Sequence, residues 1–367
     1  MHPPIRSTET SAPRAQARFR GVRASDVVEC VDVRADPGRV ASGGWWAVVG
    51  DFEGAVHAWR FADVLTDEGA PGHGEPASEH GWRGPGAGEW QSSLGREEYV
   101  DAVARTREWI RDGTVYQANI CRVLRAPVDP EPDPRGLHDR LARHNPAPYS
   151  GLVHVPQGSG VRPTWVVTAS PELFLSLDDG VLASGPIKGT AATAAGLLPK
   201  DRAENVMITD LVRNDLQHVC EPGTVDVTAL LRVEQHPGLV HLVSRVEGRL
   251  TDAVAADPRM WATVLDATYP PGSVSGAPKS SALSVIAALE RGPRGPYCGL
   301  VGWIDSRGPR PRAELAVGIR TFSWADGTLA FGTGAGITWD SDPAAEWAET
   351  ELKAARLVAL ASSDARP

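Results

Sequence analysis

Glu172-Leu173-Phe174-Leu175-Ser176-Leu177-Asp178-Asp179-Gly180-Val181-Leu182-Ala183-Ser184-Gly185-Pro186-Ile187 contains two apolar runs around an Asp-Asp-Gly turn. Asp-Gly between apolar runs marks a tight antiparallel hairpin. The same pattern recurs where Arg320–Trp324 and Leu329–Thr333 flank Asp326-Gly327. Further strands are expected at Trp45–Phe52, Val56–Phe61, Tyr116–Leu124 and Leu239–Val246. Helical periodicity begins at Arg96, with Val100, Val103 and Ile110 near one stripe and Asp112-Gly113 as a stop. Three more helix starts are readable: Asp201 with Glu204 as a capping box, Pro278 before Ala282, Val285, Ile286 and Leu289, and Asp342-Pro343 before Glu346. Hairpins with helices between them predict an α+β fold, antiparallel β-sheets packed as a sandwich with helices on the outside.

The chain has 367 residues, 42% hydrophobic and 23% charged, enough for one large core. Residues 1–24 carry five arginines against Glu9 and are expected to form a disordered tail. Residues 25–95 form an N-terminal extension with strands and a Gly/Pro-rich loop across Thr66–Trp90, packed on a catalytic domain at 96–360. No repeat at a solenoid period interrupts this division.

A formal net charge of -9 argues against a nucleic-acid surface, which needs basic stripes to release counterions. No window approaches the ~18 consecutive apolar residues of a membrane helix. Cys30, Cys121, Cys220 and Cys298 are widely spaced, which indicates neither a zinc site nor a disulfide framework and fits a reducing cytoplasm.

The chemistry-bearing residues gather in a few segments. Gly332-Thr333-Gly334-Ala335-Gly336 precedes a helix bearing Glu346, Glu349 and Lys353 on one face. Glycines admit close backbone approach, and the amides of such a turn suit a carboxylate. Asp201 and Glu204 open a second acidic helix. If the two helix starts face each other, their four carboxylates crowd one place and call for a cation, and an all-oxygen donor set favours Mg2+ over zinc. Lys188 ends a strand among small residues, Glu172 begins the same hairpin, and the pair could span a cleft as amine nucleophile and general acid. Arg320 lies inside an apolar run, where a guanidinium wants a bidentate carboxylate, while His241 in its strand reads equally as a core histidine.

Several segments resemble those of the chorismate-binding enzymes, the family of anthranilate synthase component I, aminodeoxychorismate synthase component I and the isochorismate and salicylate synthases. They are Tyr116-Gln117-Ala118-Asn119, Ser170-Pro171-Glu172-Leu173-Phe174-Leu175, Pro186-Ile187-Lys188-Gly189-Thr190, Lys200–Asn205 and Arg213-Asn214-Asp215. His241–Ser244, Gly272–Lys279, Tyr297-Cys298-Gly299, Ile319-Arg320-Thr321 and Gly334–Lys353 follow in the family's order. Gly185, Pro271 and Ser275 depart from the usual arginine, glycine and threonine.

The resemblance implies that Glu204 and Glu349 ligate magnesium with Asp201 and Glu346 in a second layer. Thr190, His241, Tyr297, Arg320, Lys353 and the backbone of Gly334, Ala335 and Gly336 would then contact chorismate. Lys188 and Glu172 are the implied catalytic pair. Water-adding members resemble one another in carrying lysine where this chain has Gln117, whereas aminodeoxychorismate synthases resemble this chain in having Lys188. The implied reaction is amination of chorismate at C4 through a covalent lysine intermediate. Ammonia would come from a separate glutamine amidotransferase, because no Gly-x-Cys-x-Gly nucleophile turn is present. The alternatives are a C2-aminating enzyme of the anthranilate synthase type and a catalytically silent, glutaminase-binding partner.

Overall fold

The computed structural model describes residues 14–66, 81–191, 193–236 and 239–363, and for Thr190, His236 and Leu239 the backbone alone. Both Asp-Gly hairpins form as read. Asp178 pairs with Val181, and the two turn residues Asp179 and Gly180 have φ of 48° and 76°. Asp326 and Gly327, at 47° and 75°, join Ala325 to Thr328 in the same way. Positive φ at both central residues is the turn geometry whose twist matches paired strands.

Among the described residues every strand pairing is antiparallel, and the eighteen strands form one hydrogen-bonded ladder. One half runs from Asp226–His236 through Leu239–Arg249, Val181–Gly185, Leu173–Asp178, Arg312–Val317, Leu300–Asp305, Trp45–Gly50 and Val56–Thr66 to Val22–Asp32. The other runs from Tyr149–Val155 through Thr164–Ser170, Thr321–Ala325 and Thr328–Ile337 to Gln117–Pro127. Side-chain alternation shows how the halves stack. Ala47 and Val49 from the first and Val153, Val155 and Val166 from the second share one core. Trp46 and Val48 face the opposite way, into a core with Trp261, Val264 and Leu265 of the helix Met260–Thr268. Leu152, Val167 and Phe331 pack outward on Leu137 and Leu141 of Pro134–His144 and on Ala354 and Leu357 of Pro343–Ala361. The expected sandwich with outer helices is therefore present, but its two sheets are continuous.

The continuity comes from a segment assigned above to a disordered tail. Residues 1–13 lie outside the described residues, but Gln16–Phe19 is a strand, paired on one side with Val22–Ser25 and on the other with Gly151–His154. Its inward residues are Ala17, buried, and Phe19, half-buried against Trp45, with buried Ala15 just before the strand. Alanine adds little hydrophobicity, so the arginines dominate the sequence pattern although the alternation is that of a strand. In the expected loop over Thr66–Trp90, residues 67–80 are outside the described set. Trp82 is buried, and its indole N–H donates to the Ala361 carbonyl at 2.7 Å.

The helix Pro199–Gln217 seats Ile208, Val212 and Leu216 in the core. Asn205 fixes it to the sheet: Nδ2 donates to the Leu242 carbonyl at 3.0 Å and Oδ1 accepts from the Ser244 hydroxyl. Its start differs from the expected cap. Leu198 is the capping residue, and Asp201 sits in the first turn, where its carboxylate accepts the Leu198 N–H at 2.8 Å.

The junction strand approaches its neighbour very closely. A Cβ on Gly151 would stand 2.5 Å from Phe19 Cδ1 and 2.8 Å from the Arg18 carbonyl oxygen. Overpacking of this kind costs about 1–3 kcal/mol. Gly151→Val is expected to lower the denaturation midpoint accordingly, and a wild-type midpoint would mean that the two halves do not depend on this contact.

Candidate active site

Lys188 lies on the short strand Ile187–Ala191, half-buried. Its Nζ donates to the Ser273 carbonyl at 3.0 Å. The backbone opposite is bare: a Cβ on Gly336 would fall 3.3 Å from Lys188 Nζ and 2.3 Å from Gln117 Nε2. Only glycine lets that strand approach both side chains. The Gln117 side-chain carbonyl oxygen is buried and has no hydrogen-bond partner among the described residues.

Glu172 is 4% exposed. Burial pushes its carboxyl up to about 6, against the opposing pull of the Ser273 hydroxyl, the Lys188 charge and the Ile187 N–H. Ser273 therefore touches both members of the pair, its carbonyl accepting from Lys188 and its hydroxyl bonding Glu172. Ser273 and Glu172 also line a small cavity with Asp215, whose carboxylate pairs with Lys279 at 2.7 Å.

The two acidic helices do face each other. Burial raises the Glu204 carboxyl, Lys188 and Lys200 oppose the rise, and Asp201 and Glu349 add to it. Glu346 is buried and likewise raised by burial, partly offset by a hydrogen bond from Ser341, while the Glu349 charge raises it further. Burial pushes Glu349 up as well, but Lys353, Lys200 and Lys188 overcome this and hold it below the ordinary carboxylate range. Lys353 Nζ is 2.7 Å from Glu349 and donates to the Gly334 carbonyl at 3.0 Å, tying the helix to the glycine strand. Asp201 packs against Gly189. Among the described residues, no three His, Cys, Asp or Glu side chains are arranged as a ready-made metal cage.

The remaining expected positions are Tyr297, Arg320, His241 and Thr190. Tyr297 is buried with its ring against Gly332, and its hydroxyl lies 3.7 Å from Cys121 Sγ, itself opposite Gly334 in the ladder. Arg320 has φ of 50°, and burial lowers its pKa. Among the described residues its guanidinium makes no hydrogen bond or ion pair. His241 is buried on the strand beside Ile187–Ala191, directly across from Thr190, whose side chain lies outside the described set. Sequence reasoning missed Ser273 and Lys200 as members of the site. A compositional signal was available: the 37 basic residues include only four lysines, Lys188, Lys200, Lys279 and Lys353. Three act on Glu349 and the fourth pairs with Asp215. Arginine serves everywhere else, so a compact ammonium is kept where the cleft needs one.

Residues 55–359 match the chorismate binding enzyme family, and the chain belongs to it. It is 34% identical over 335 residues to anthranilate synthase component 1 of Saccharolobus solfataricus, covering 84% of this chain and 76% of that one. It is 35% identical over 281 residues to aminodeoxychorismate synthase component 1 of Salmonella typhimurium, covering 73% and 58%. The match to anthranilate synthase component 1 of Streptomyces coelicolor, 37% over 301 residues, covers 78% and 55%. The chain thus spans between about half and three quarters of the length of these relatives. Among solved structures, anthranilate synthase component I from Streptococcus pneumoniae superposes with a TM-score of 0.74 at 22% identity, over 97% of this chain and 95% of that one. MenF, the menaquinone-specific isochorismate synthase from Escherichia coli, gives 0.72 at 18% over 97% and 90%. At these identities the structures establish the shared fold.

The Glu172 carboxyl has a consequence for stability. Its ordinary value is 4.5 and its folded value about 6. The unfolded chain therefore gives up the proton first. The resulting penalty is absent below about pH 4.5 and complete above about pH 6, where it reaches about 2 kcal/mol at ~1.4 kcal/mol per pH unit. Glu172→Gln should be more stable than wild type near pH 7.5 and lose that advantage near pH 4.5 in paired denaturant titrations. An advantage independent of pH would show that the carboxyl is not the source.

Proposed function

We propose that the protein aminates chorismate at C4, converting chorismate and ammonia into 4-amino-4-deoxychorismate and water. The observation that carries this reading is the Lys188 amine, held at the Ser273 carbonyl beside a buried carboxyl whose pKa is raised. A carboxyl raised to about 6 by burial holds its proton closer to neutral pH than a free one and, in its protonated form, can donate to a departing hydroxyl, while a fixed amine can attack the conjugated ring. In the proposed first step the Lys188 nitrogen bonds to C2, the ring double bond shifts, and the C4 oxygen leaves as water with the Glu172 proton. Ammonia then bonds to C4, the double bond shifts back, the Lys188 nitrogen is released as the free amine, and the new ammonium returns one proton to the Glu172 carboxylate. No atom of the enzyme is consumed.

The Arg320 guanidinium, unpaired among the described residues, is suited to one substrate carboxylate, and the glycine strand bearing Gly334, Ala335 and Gly336, with Lys353, to the other. Glu204 and Glu349 fit magnesium. That ion commonly takes one or two protein carboxylates and fills its other positions with water and substrate oxygens, so a three-residue cage is not required. Bound there, it would neutralise the carboxylates around the substrate, with Asp201 and Glu346 behind its ligands. A glutamine amidotransferase subunit is the proposed ammonia donor, in keeping with the designation of the relatives as component 1.

C2 amination is the second reading, favoured by identity to anthranilate synthases comparable with that to aminodeoxychorismate synthases. Purified protein with chorismate, magnesium and an ammonium salt is expected to form 4-amino-4-deoxychorismate, identified by mass and by a lyase specific for it. Lys188→Ala should weaken product formation, and Glu172→Gln should lower kcat/KM by about 10²–10⁴, the usual contribution of a general acid. Anthranilate or 2-amino-2-deoxyisochorismate as product would assign the C2 branch, and no turnover would overturn the enzymatic reading. Glu349→Gln is expected to raise the magnesium concentration needed for half-maximal turnover, and an unchanged requirement would remove Glu349 as a ligand.

A further inference from the structure

Arg294 takes no part in the chemistry above, yet it is 4% exposed and every hydrogen bond it makes has a defined target. Its Nε donates to Glu290 Oε2 at 2.8 Å, and its Nη2 to Glu290 Oε1 at 2.5 Å. The same Nη2 reaches the Asn119 carbonyl at 2.6 Å, and Nη1 the Val274 carbonyl at 3.0 Å. The Phe52 ring covers the guanidinium, with its centroid 4.0 Å from Cζ. Glu290 Oε1 in turn accepts the Cys121 N–H at 2.8 Å.

Both carbonyls belong to the walls around Lys188. Val274 follows Ser273, which accepts from Lys188 Nζ and bonds Glu172. Asn119 stands opposite Gly336 in the ladder, and the Gly336 backbone lies against Lys188 Nζ. We infer that the Arg294–Glu290 pair is a positioning clamp, holding Ser273 and the Asn119–Gly336 pairing in the relative placement that aims the Lys188 amine. This inference rests on the reading of Lys188 as nucleophile. A guanidinium suits the task because its planar fork fixes several donors at once. A lysine at 294 can satisfy the carboxylate but not both carbonyls. Misplacement of a reacting group by about 1 Å can cost on the order of 10² in rate, so loosening either wall is felt in the chemical step.

The test is a cycle of Arg294→Lys and Lys188→Ala in the whole chain, with each variant's fold checked by thermal unfolding. Arg294→Lys alone is expected to lower kcat by about 10- to 100-fold with KM for chorismate changed less than about threefold. In the Lys188→Ala background it should lower the residual turnover no further. A purely structural role predicts effects that multiply, or a KM that moves with kcat, and either result overturns the clamp. Labelling with trinitrobenzenesulfonate, followed at each of the four lysine peptides by mass spectrometry, reads the placement of Lys188 without turnover. The clamp requires the labelling rate of Lys188 to change in Arg294→Lys while that of Lys279 does not. Wild-type turnover in Lys188→Ala would dismiss the nucleophile reading while leaving the labelling result to decide the clamp. If Arg294→Lys does not fold, Glu290→Gln, which keeps an acceptor for the Cys121 N–H, carries the same measurements.

Discussion

Charge held in a partly dry cleft is the constraint on which the site depends. Glu204, Glu346 and Glu349 crowd together where burial disfavours each carboxylate, and like charges within a few ångströms penalise one another further. Lys188, Lys200 and Lys353 supply the opposing charge. Glu346 is buried, Glu204, Glu349 and Lys188 are half-buried, and Lys200 and Lys353 lie at the exposed rim. Asn205 fastens one acidic helix to the sheet, Lys353 fastens the other to the Gly334 carbonyl, and Asp342 caps that second helix by accepting the Ala345 N–H at 2.8 Å. Burial and like charge raise Glu204 and Glu346 while the lysines hold Glu349 low, so the three carboxylates are not equivalent.

The sheet makes this crowding possible by bringing remote segments into register. Ala118–Pro127 of the strand Gln117–Pro127 pairs with Thr328–Ile337, placing Asn119 opposite Gly336 and the Gln117 side chain against it. Strand Leu239–Arg249 receives both Val181–Gly185 and Ile187–Ala191, with an irregularity before Thr190. Lys188 and Gly189 fall within that irregular stretch, where the backbone can turn a side chain away from strict alternation. The short strand Gln16–Phe19 closes the ladder between halves, so the site's two walls belong to a single hydrogen-bonded structure.

Local chemistry was legible in the sequence where it was strong. Asp179-Gly180 and Asp326-Gly327 revealed their hairpins because positive φ at both positions restricts residue choice. Asp342-Pro343 revealed a helix start for a similar reason, and the acidic cluster followed from helical spacing once two helix starts were recognised. Features that depend on distant partners were not legible. Asp201 was read as a cap, but the actual boundary lies at Leu198, a residue with no capping side chain. The strand Gln16–Phe19 was hidden because it is only four residues long, its one buried residue is Ala17, and arginines crowd the sequence around it. Ser273 and Arg294 were overlooked because much of what they do runs through main-chain carbonyls, Ser273 by its own and Arg294 by bonding those of Val274 and Asn119, and no motif reports such partners.

Anthranilate-forming and isochorismate-forming enzymes superpose on this chain over nearly its whole length. An architecture common to different products cannot choose among them, so the choice falls to atoms that differ within a common frame. The resemblance marks positions 188 and 117 as the ones that differ, and around Lys188 stand the Ser273 carbonyl, the Glu172 carboxyl, the Gln117 amide and the bare Gly336 backbone. Gln117 is neutral, and its buried carbonyl oxygen has no partner among the described residues. A buried acceptor without a partner carries a desolvation penalty that a hydrogen-bond donor can relieve. In the proposed reaction ammonia brings such donors, whereas a lysine at 117 would bring its own charge and fill the same space. The amine at 188 and the amide at 117 are therefore complementary parts of one reading, the first supplying a nucleophile to the ring and the second a neutral polar surface for the nucleophile that replaces it.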